Sequence, residues 1–308
     1  DTAAVDTAAV GVAVKSGTAD SGDDPLPLDA IRAIDTRAVL LIDSANFFGH
    51  AVEDMQVKLR AVDGVVKLNA LTGKVHGGTL DMKATFNGQH NKATLTTKGG
   101  LKDMSIAKAL KSMESAPLAT GNANLQWQLK GSGRTSNELV AAVNGPIDLL
   151  TSDVFLENLS IEKKLCEAVA LINGESLTQK IPEESRFETL SMKINMGEGK
   201  LKLDPLRAEL TSVKLEGVGS MDILEQDFSA TFTASLSPTL SELDPACRVN
   251  KRLTDIAWPV TCEGSLAGDP GDWCGVESQK IIQALATKEV QRKVEKEAGR
   301  FLNKLFSK

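Results

Sequence analysis

Residues 187–236 read FETLSMKINMGEGKLKLDPLRAELTSVKLEGVGSMDILEQDFSATFTASL, and they predict four consecutive β-strands. Met192, Ile194 and Met196 alternate with polar residues, which is typical of a strand with one apolar face. The alternation slips by one residue at Asp204-Pro205. Because proline cannot donate a hydrogen bond to a strand ladder, this slip predicts a bulge or a bend.

The same pattern occurs earlier in the chain at a constant offset. Val66 matches Leu201 (201 − 66 = 135), and the match continues without a gap from about residue 51 to 99. Asp63-Gly64 stands opposite Glu198-Gly199, so both copies place a turn alike. We interpret the pattern as an internal duplication.

The predicted fold is mainly β (α+β): an elongated, twisted antiparallel sheet or groove built from two repeated multi-strand units. Short supporting helices and a long C-terminal helix complete it. The predicted segments are a flexible linker over 1–27, a first β-repeat unit over 28–118, a second with a supporting helix over 119–240, a disulfide-bearing hairpin and loop over 241–277, and an amphipathic basic helix over 278–308.

The charge of the chain is unevenly distributed. The net charge of −6 argues against a general nucleic-acid binder. Residues 278–308 contain eight Lys or Arg and three Glu, a net of +5, so basic charge is concentrated in the last helix. No apolar stretch is long enough to span a bilayer as a helix. The chain starts at Asp1 without a signal peptide, which predicts a fragment or a processed chain.

Four cysteines lie at positions 166, 247, 262 and 274. Without a CxxC motif or a histidine at metal spacing, disulfides in an oxidising compartment are favoured over zinc and over free thiols. Of the three connectivities we favour Cys247–Cys262, across a predicted hairpin, with Cys166–Cys274. The sequence leaves the other two open.

Motifs for catalysis are nearly absent, so we predict a protein that is not an enzyme and needs no cofactor or metal. His50, His76 and His90 lie near predicted turns and are interpreted as exposed structural histidines rather than bases or ligands. Gly131-Ser132-Gly133 lacks the context of a nucleotide-binding loop and predicts a turn.

The apolar strand faces have two interpretations. The two sheets of a sandwich could cover each other, or one curved sheet could leave an apolar face open to acyl chains. For the open groove, the lining residues are predicted to be Val66, Leu68, Leu80, Phe86, Leu201, Leu203, Leu215, Met221, Phe228 and Phe232.

The C-terminal helix also has two interpretations. An amphipathic helix is most often a lid packed on its own domain, with Ile281 and Leu285 in its apolar stripe. Its cations could instead meet anionic headgroups or a partner protein. These cations are Lys288, Arg292, Lys293, Lys296, Arg300 and Lys304.

Several segments together carry a family resemblance: GNANLQWQLKGSG (121–133), LVAAVNGPIDLL (139–150), NLSIEKKLCEAVALIN (158–173), the repeat at 192–223, and the cysteine-bearing segment 246–274. They resemble the periplasmic C-terminal region of the AsmA family of bacterial envelope proteins. The resemblance covers roughly residues 28–308. It implies a long β-rich groove in the periplasm, and an inner-membrane tether through an N-terminal helix expected outside this chain.

The resemblance also implies a role in lipid movement between membranes and in outer-membrane assembly. Our leading hypothesis is therefore a lipid-handling protein whose partner is a phospholipid or another acyl lipid. The alternative is a structural adaptor of the cell envelope, which binds a partner protein through its C-terminal helix or a strand edge.

Overall fold

In the part of the chain that the structure describes, the fold is one open antiparallel sheet of thirteen strands, in which each strand pairs with the next along the chain. The computed structural model describes residues 25–47, 50–112, 119–223 and 225–290. The strands are β1 Thr36–Phe47, β2 His50–Val62, β3 Val65–Val75, β4 Gly78–Asn87, β5 Ala93–Ser105, β6 Ala119–Gly133, β7 Gly145–Leu156, β8 Ser185–Gly197, β9 Lys200–Leu210, β10 Val213–Asp222, β11 Asp227–Leu236, β12 Trp258–Ser265 and β13 Cys274–Val276. The prediction of a mainly β fold is confirmed.

Short helices connect and cover the strands. Two 3-10 helices, Pro238–Glu242 and Pro245–Cys247, follow β11, and residues 278–290 are helical. The other helices are α1 Leu28–Arg32, α2 Ile106–Ser112, α3 Ser136–Ala141, α4 Ile161–Asn173, α5 Lys251–Thr254 and α6 Pro270–Trp273.

The two repeated units have the same strand boundaries. Adding 135 to the bounds of β2, β3 and β4 gives the bounds of β8, β9 and β10. The β2–β3 and β8–β9 turns both have positive φ at each central residue, 48° and 76° at Asp63-Gly64 and 52° and 70° at Glu198-Gly199. The ladder slips at Asp204-Pro205 and at the equivalent Asn69-Ala70, so the predicted bulge is present in both units.

The strand register gives the sheet one apolar and one polar face. Directly opposed residues of an antiparallel pair share a face. Leu80 lies opposite Leu101, which lies opposite Leu125, and the series of small and apolar residues continues strand by strand to Val260 of β12. The intervening positions are mainly charged or hydroxyl-bearing, as Lys58, Lys67 and Thr85 are.

The larger hydrophobic core closes the C-terminal part of the apolar face. Leu165 and Val169 of α4 pack in one cluster with Leu215, Ala234 and other side chains of β8–β12. Ser160 caps α4 by accepting from Lys163 N, and the helix ends at Gly174 in the left-handed conformation. The predicted supporting helix is therefore a second layer over one part of the sheet.

The disulfides are Cys166–Cys247 and Cys262–Cys274, so the favoured pairing was wrong. Cys166 lies on the buried face of α4, against the 3-10 helix that ends at Cys247. The Cα atoms of Cys166 and Cys247 are 5.0 Å apart. Cys262 and Cys274 are directly opposed on β12 and β13. The predicted hairpin was also wrong: α5, capped by Asn250, stands where its first strand was expected.

The described part of the C-terminal helix packs as a lid. Ile281 is fully buried in the larger core, and Leu285 packs against that core. Lys288 donates a hydrogen bond to the carbonyl oxygen of Asp255. Oε2 of Glu289 lies 3.3 Å from a guanidinium nitrogen of Arg252. Lys288 thus contacts its own domain, whereas Arg292, Lys293, Lys296, Arg300, Lys304 and the linker before residue 25 lie outside the described residues.

Asp244 joins the connection after α4 to the 3-10 helices. Its buried carboxylate accepts hydrogen bonds from the backbone N–H groups of Ala246, Thr178 and Gln179 and from the hydroxyl of Thr178, over 2.6–3.1 Å. The bond from Ala246 is the largest cause that lowers the pKa of Asp244, although burial acts in the opposite direction.

We predict that Asp244→Asn lowers the melting temperature by several degrees at neutral pH, because the amide turns a donor toward these N–H groups. Because the pKa of Asp244 is lower in the native state, the ionised carboxylate stabilises the protein fully only at a pH above the pKa of the unfolded state, near 3.8. That contribution disappears as the pH falls through the lower native value. Thermal melts from pH 7 to pH 3 should show the variant approaching wild type in acid. A gap that stays constant with pH would refute the assignment.

Candidate functional site

A band of half-buried apolar side chains crosses the sheet outside both hydrophobic cores. We call this band the corridor. It runs from β2 to β10, so eight strand spacings give it a length of about 40 Å. The corridor residues are Leu59, Val66, Leu68, Met82, Phe86, Leu95, Trp127, Leu129, Ile147, Leu149, Met192, Met196, Leu201, Leu203 and Met221.

The ends of the strands in the first unit are more covered than their middles. At one end Leu28 of α1 and Leu139 of α3 are buried, and α3 lies so close to β6 that only a glycine fits at Gly133. At the other end a smaller core forms around Met55 and Leu101. The corridor lies between these covered ends and continues beside the larger core of the second unit.

Glycine makes room for an aromatic ring in the corridor. A Cβ at Gly99 would stand 2.5 Å from Cζ2 of Trp127 and 2.7 Å from Cβ of Met82, so only glycine accommodates the ring there. The indole Nε1–H of Trp127 donates to the hydroxyl of Thr97 at 3.2 Å. With its polar atom satisfied, the indole adds apolar surface to the corridor.

All ten predicted lining residues lie on the apolar face. Six of them, Val66, Leu68, Phe86, Leu201, Leu203 and Met221, belong to the corridor. Leu80 packs against the smaller core, and Phe228 and Phe232 pack against the larger one. Leu215 is only 2 % exposed inside the larger core, so its prediction as a groove residue was wrong. The cause is α4 and its neighbours, which cover this part of the face.

The structure brings His50 and His76 together at the end of β2 nearest α2. Nε2 of His76 lies 2.9 Å from Nδ1 of His50, which lies 2.9 Å from the hydroxyl of Ser112 in α2. Both rings are half-buried, so the prediction of exposed side chains was wrong for them, while His90 is exposed. Burial is the main cause that lowers the pKa of His76, and the neighbouring His50 and Lys108 add to it.

The contacts among His76, His50 and Ser112 link α2 to the sheet. The Ser112 hydroxyl donates to the carbonyl oxygen of Ala109 at 2.6 Å, so its proton is directed to the helix backbone. Across the described ranges, no cluster of three or more His, Cys, Asp or Glu could hold a metal ion. Nor does any helix in those ranges have the length and hydropathy needed to cross a membrane.

Comparison with known proteins identifies the group to which this architecture belongs. The family model of the AsmA family matches residues 12–206, which is most of the chain. The chain belongs to the AsmA family. The match extends from the N-terminal segment into β9, and it supports an AsmA-type envelope protein, while residues 207–308 lie beyond the matched range.

A curated relative agrees with the family match. The chain is 17 % identical to Protein AsmA of Escherichia coli (strain K12) over 198 residues, which is 63 % of this chain and 32 % of the relative. The chain therefore spans about a third of the length of this AsmA protein. No solved structure gives a significant match.

Proposed function

We propose that the chain is a non-enzymatic, periplasmic lipid-handling protein that shields acyl chains against the corridor. The observation that carries the proposal is a continuous apolar band that is half-buried and lies outside both cores. Soluble monomers rarely leave apolar patches of more than a few hundred Å² exposed unless the patch binds something. An acyl chain is the ligand that matches a long apolar band without converging polar groups.

The energetics favour a continuous band over separate pockets. Each methylene group moved out of water contributes about 0.8 kcal/mol of favourable free energy. An acyl chain that had to leave the protein between separate pockets would therefore lose many times that amount. Corridor residues on adjacent strands are directly opposed, as Met196 and Leu201 are, which lets a lipid tail move sideways while staying covered. The headgroup would remain in water.

The cysteines and the family support the proposed periplasmic location. Both disulfides persist in an oxidising compartment, which the periplasm of an envelope protein provides. With AsmA family membership, this supports a role in phospholipid transport and outer-membrane assembly. We further propose that an N-terminal helix tethers the full-length protein to the inner membrane.

Native mass spectrometry of the purified, non-reduced chain tests the proposal. We expect near-stoichiometric phospholipid that survives gentle ionisation and is recovered by solvent extraction. The matched control is the same chain after delipidation and incubation with phospholipid vesicles, which should regain the lipid. A chain that carries no phospholipid after either treatment would exclude the corridor as a lipid site.

A further inference from the structure

The polar face of the first unit and of the adjoining strand β6 carries a dense group of cations. We call it the basic patch, and it lies on the side of the sheet opposite the corridor. In its first row Arg37, Arg60 and Lys67 are directly opposed on β1, β2 and β3. The patch consists of Arg37, Lys58, Arg60, Lys67, Lys83, Lys98 and Lys130, and all seven are exposed.

Like charges stand directly opposite each other in this patch. Besides the first row, Lys83 on β4 faces Lys98 on β5, and like charges at such positions destabilise a sheet. None of the seven side chains forms an ion pair with another described residue. Asp81 lies on the same face one cross-strand row beyond Lys83, and Asp35 precedes Arg37 by two residues. Such repulsion is relieved when an external anion binds.

The second unit shows a different polar face. Lys193 and Lys202 occupy the positions equivalent to Lys58 and Lys67 (58 + 135 and 67 + 135). Their surroundings mix both signs: Lys193 is opposed to Asp148, and the face carries the ion pairs Arg207–Glu216 and Lys214–Glu209. Directly opposed cations such as Arg60 and Lys67 therefore occur in the first unit, whereas the equivalent positions of the second unit hold Asn195 and Lys202.

Two large apolar side chains extend the basic patch at the edge of the sheet. Val39 and Leu41 on β1 are 65 % and 76 % exposed, and they share the polar face with Arg37. Lys58 is the direct partner of Val39. Exposed apolar groups beside cations are the combination by which peripheral proteins bind the headgroup region of an anionic bilayer.

We propose that the basic patch with Val39 and Leu41 is a docking surface for an anionic phospholipid membrane. The cations contact the headgroups, and the two apolar side chains enter the boundary between headgroups and acyl chains. Lys83, Lys98 and Lys130 also line a shallow depression of about 600 Å³ that can receive a headgroup. A nucleic acid would use the cations but leave Val39 and Leu41 without a role.

Vesicle sedimentation with the full chain tests this proposal. Wild type should bind vesicles rich in phosphatidylglycerol, bind pure phosphatidylcholine weakly, and lose affinity as salt is raised. Each cation near an anionic surface raises the affinity for that surface about fivefold. Lys58→Glu/Lys67→Glu should therefore weaken vesicle binding by more than about tenfold. Leu41→Ser should weaken it with an unchanged salt dependence. All of these positions are exposed, and circular dichroism checks that the fold is kept.

Lys193→Glu/Lys202→Glu is the matched control, because it makes the same charge change at the equivalent positions of the second unit. It should bind like wild type. The proposal would be overturned if both double variants lost the same affinity for vesicles, or if Lys58→Glu/Lys67→Glu lost none. It would also be overturned if the wild type had no affinity for phosphatidylglycerol vesicles. The proposal does not depend on lipid in the corridor: Leu203→Glu, on the opposite face, should keep vesicle binding.

Discussion

Replacing both Cys166 and Cys247 by alanine should lower the free energy of unfolding by about 4.5 kcal/mol. The bond closes a segment of 81 residues, so its loss gives the unfolded chain much conformational freedom. It also joins α4 to the 3-10 helices, which are the elements that cover the larger core. Without it, these elements are held by packing and by hydrogen bonds such as those of Asp244.

Urea denaturation followed by circular dichroism measures this effect. The control is Cys262→Ala/Cys274→Ala, whose disulfide closes a segment of only 12 residues between already paired strands, and we expect a loss of about 3 kcal/mol there. If the control variant lost more stability than the first, the covering layer would not depend on the Cys166–Cys247 bond.

The repeated strands could be predicted because their information is local. Period-2 alternation identifies strands from neighbouring residues, and proline marks the bulge at Asp204-Pro205 because it cannot donate to a ladder. The constant offset of 135 places the strands of the first unit by analogy with the second. The apolar face could likewise be assigned residue by residue, including the six predicted residues that lie in the corridor.

Features that depend on tertiary packing could not be predicted in the same way. Leu215 has the alternation of a groove residue, but only the position of α4 shows that it is buried. The partner of Cys166 is set by how α4 meets the 3-10 helices, which are distant in sequence. His50 and His76 are 26 residues apart and meet because β2 and β3 are neighbours. The basic patch becomes visible only when the register aligns cations of separate strands.

Leu203→Glu should remove phospholipid from the purified protein while leaving the fold intact. Leu203 lies in the corridor on β9, half-buried and outside both cores, so a carboxylate there can reach water without breaking core packing. A charge within the corridor would make burial of an acyl chain across it unfavourable by several kcal/mol. Leu215→Glu is unsuitable for this purpose, because a buried charge in the larger core would unfold the protein.

The neighbouring residue offers the matched control. Lys202 lies on the same strand but on the polar face, opposite Asn195 and Ser220. Lys202→Glu introduces the same carboxylate one residue away without touching the corridor. Both variants should match wild type in circular dichroism, so that a difference in lipid content reports the face of the sheet and not the stability of the fold.

The most direct measurement is the amount of phospholipid per chain in wild type, Leu203→Glu and Lys202→Glu, purified identically and quantified by solvent extraction and mass spectrometry. We expect near-stoichiometric phospholipid in wild type and in Lys202→Glu, and almost none in Leu203→Glu. Equal lipid content in the two variants would show that acyl chains do not bind the corridor.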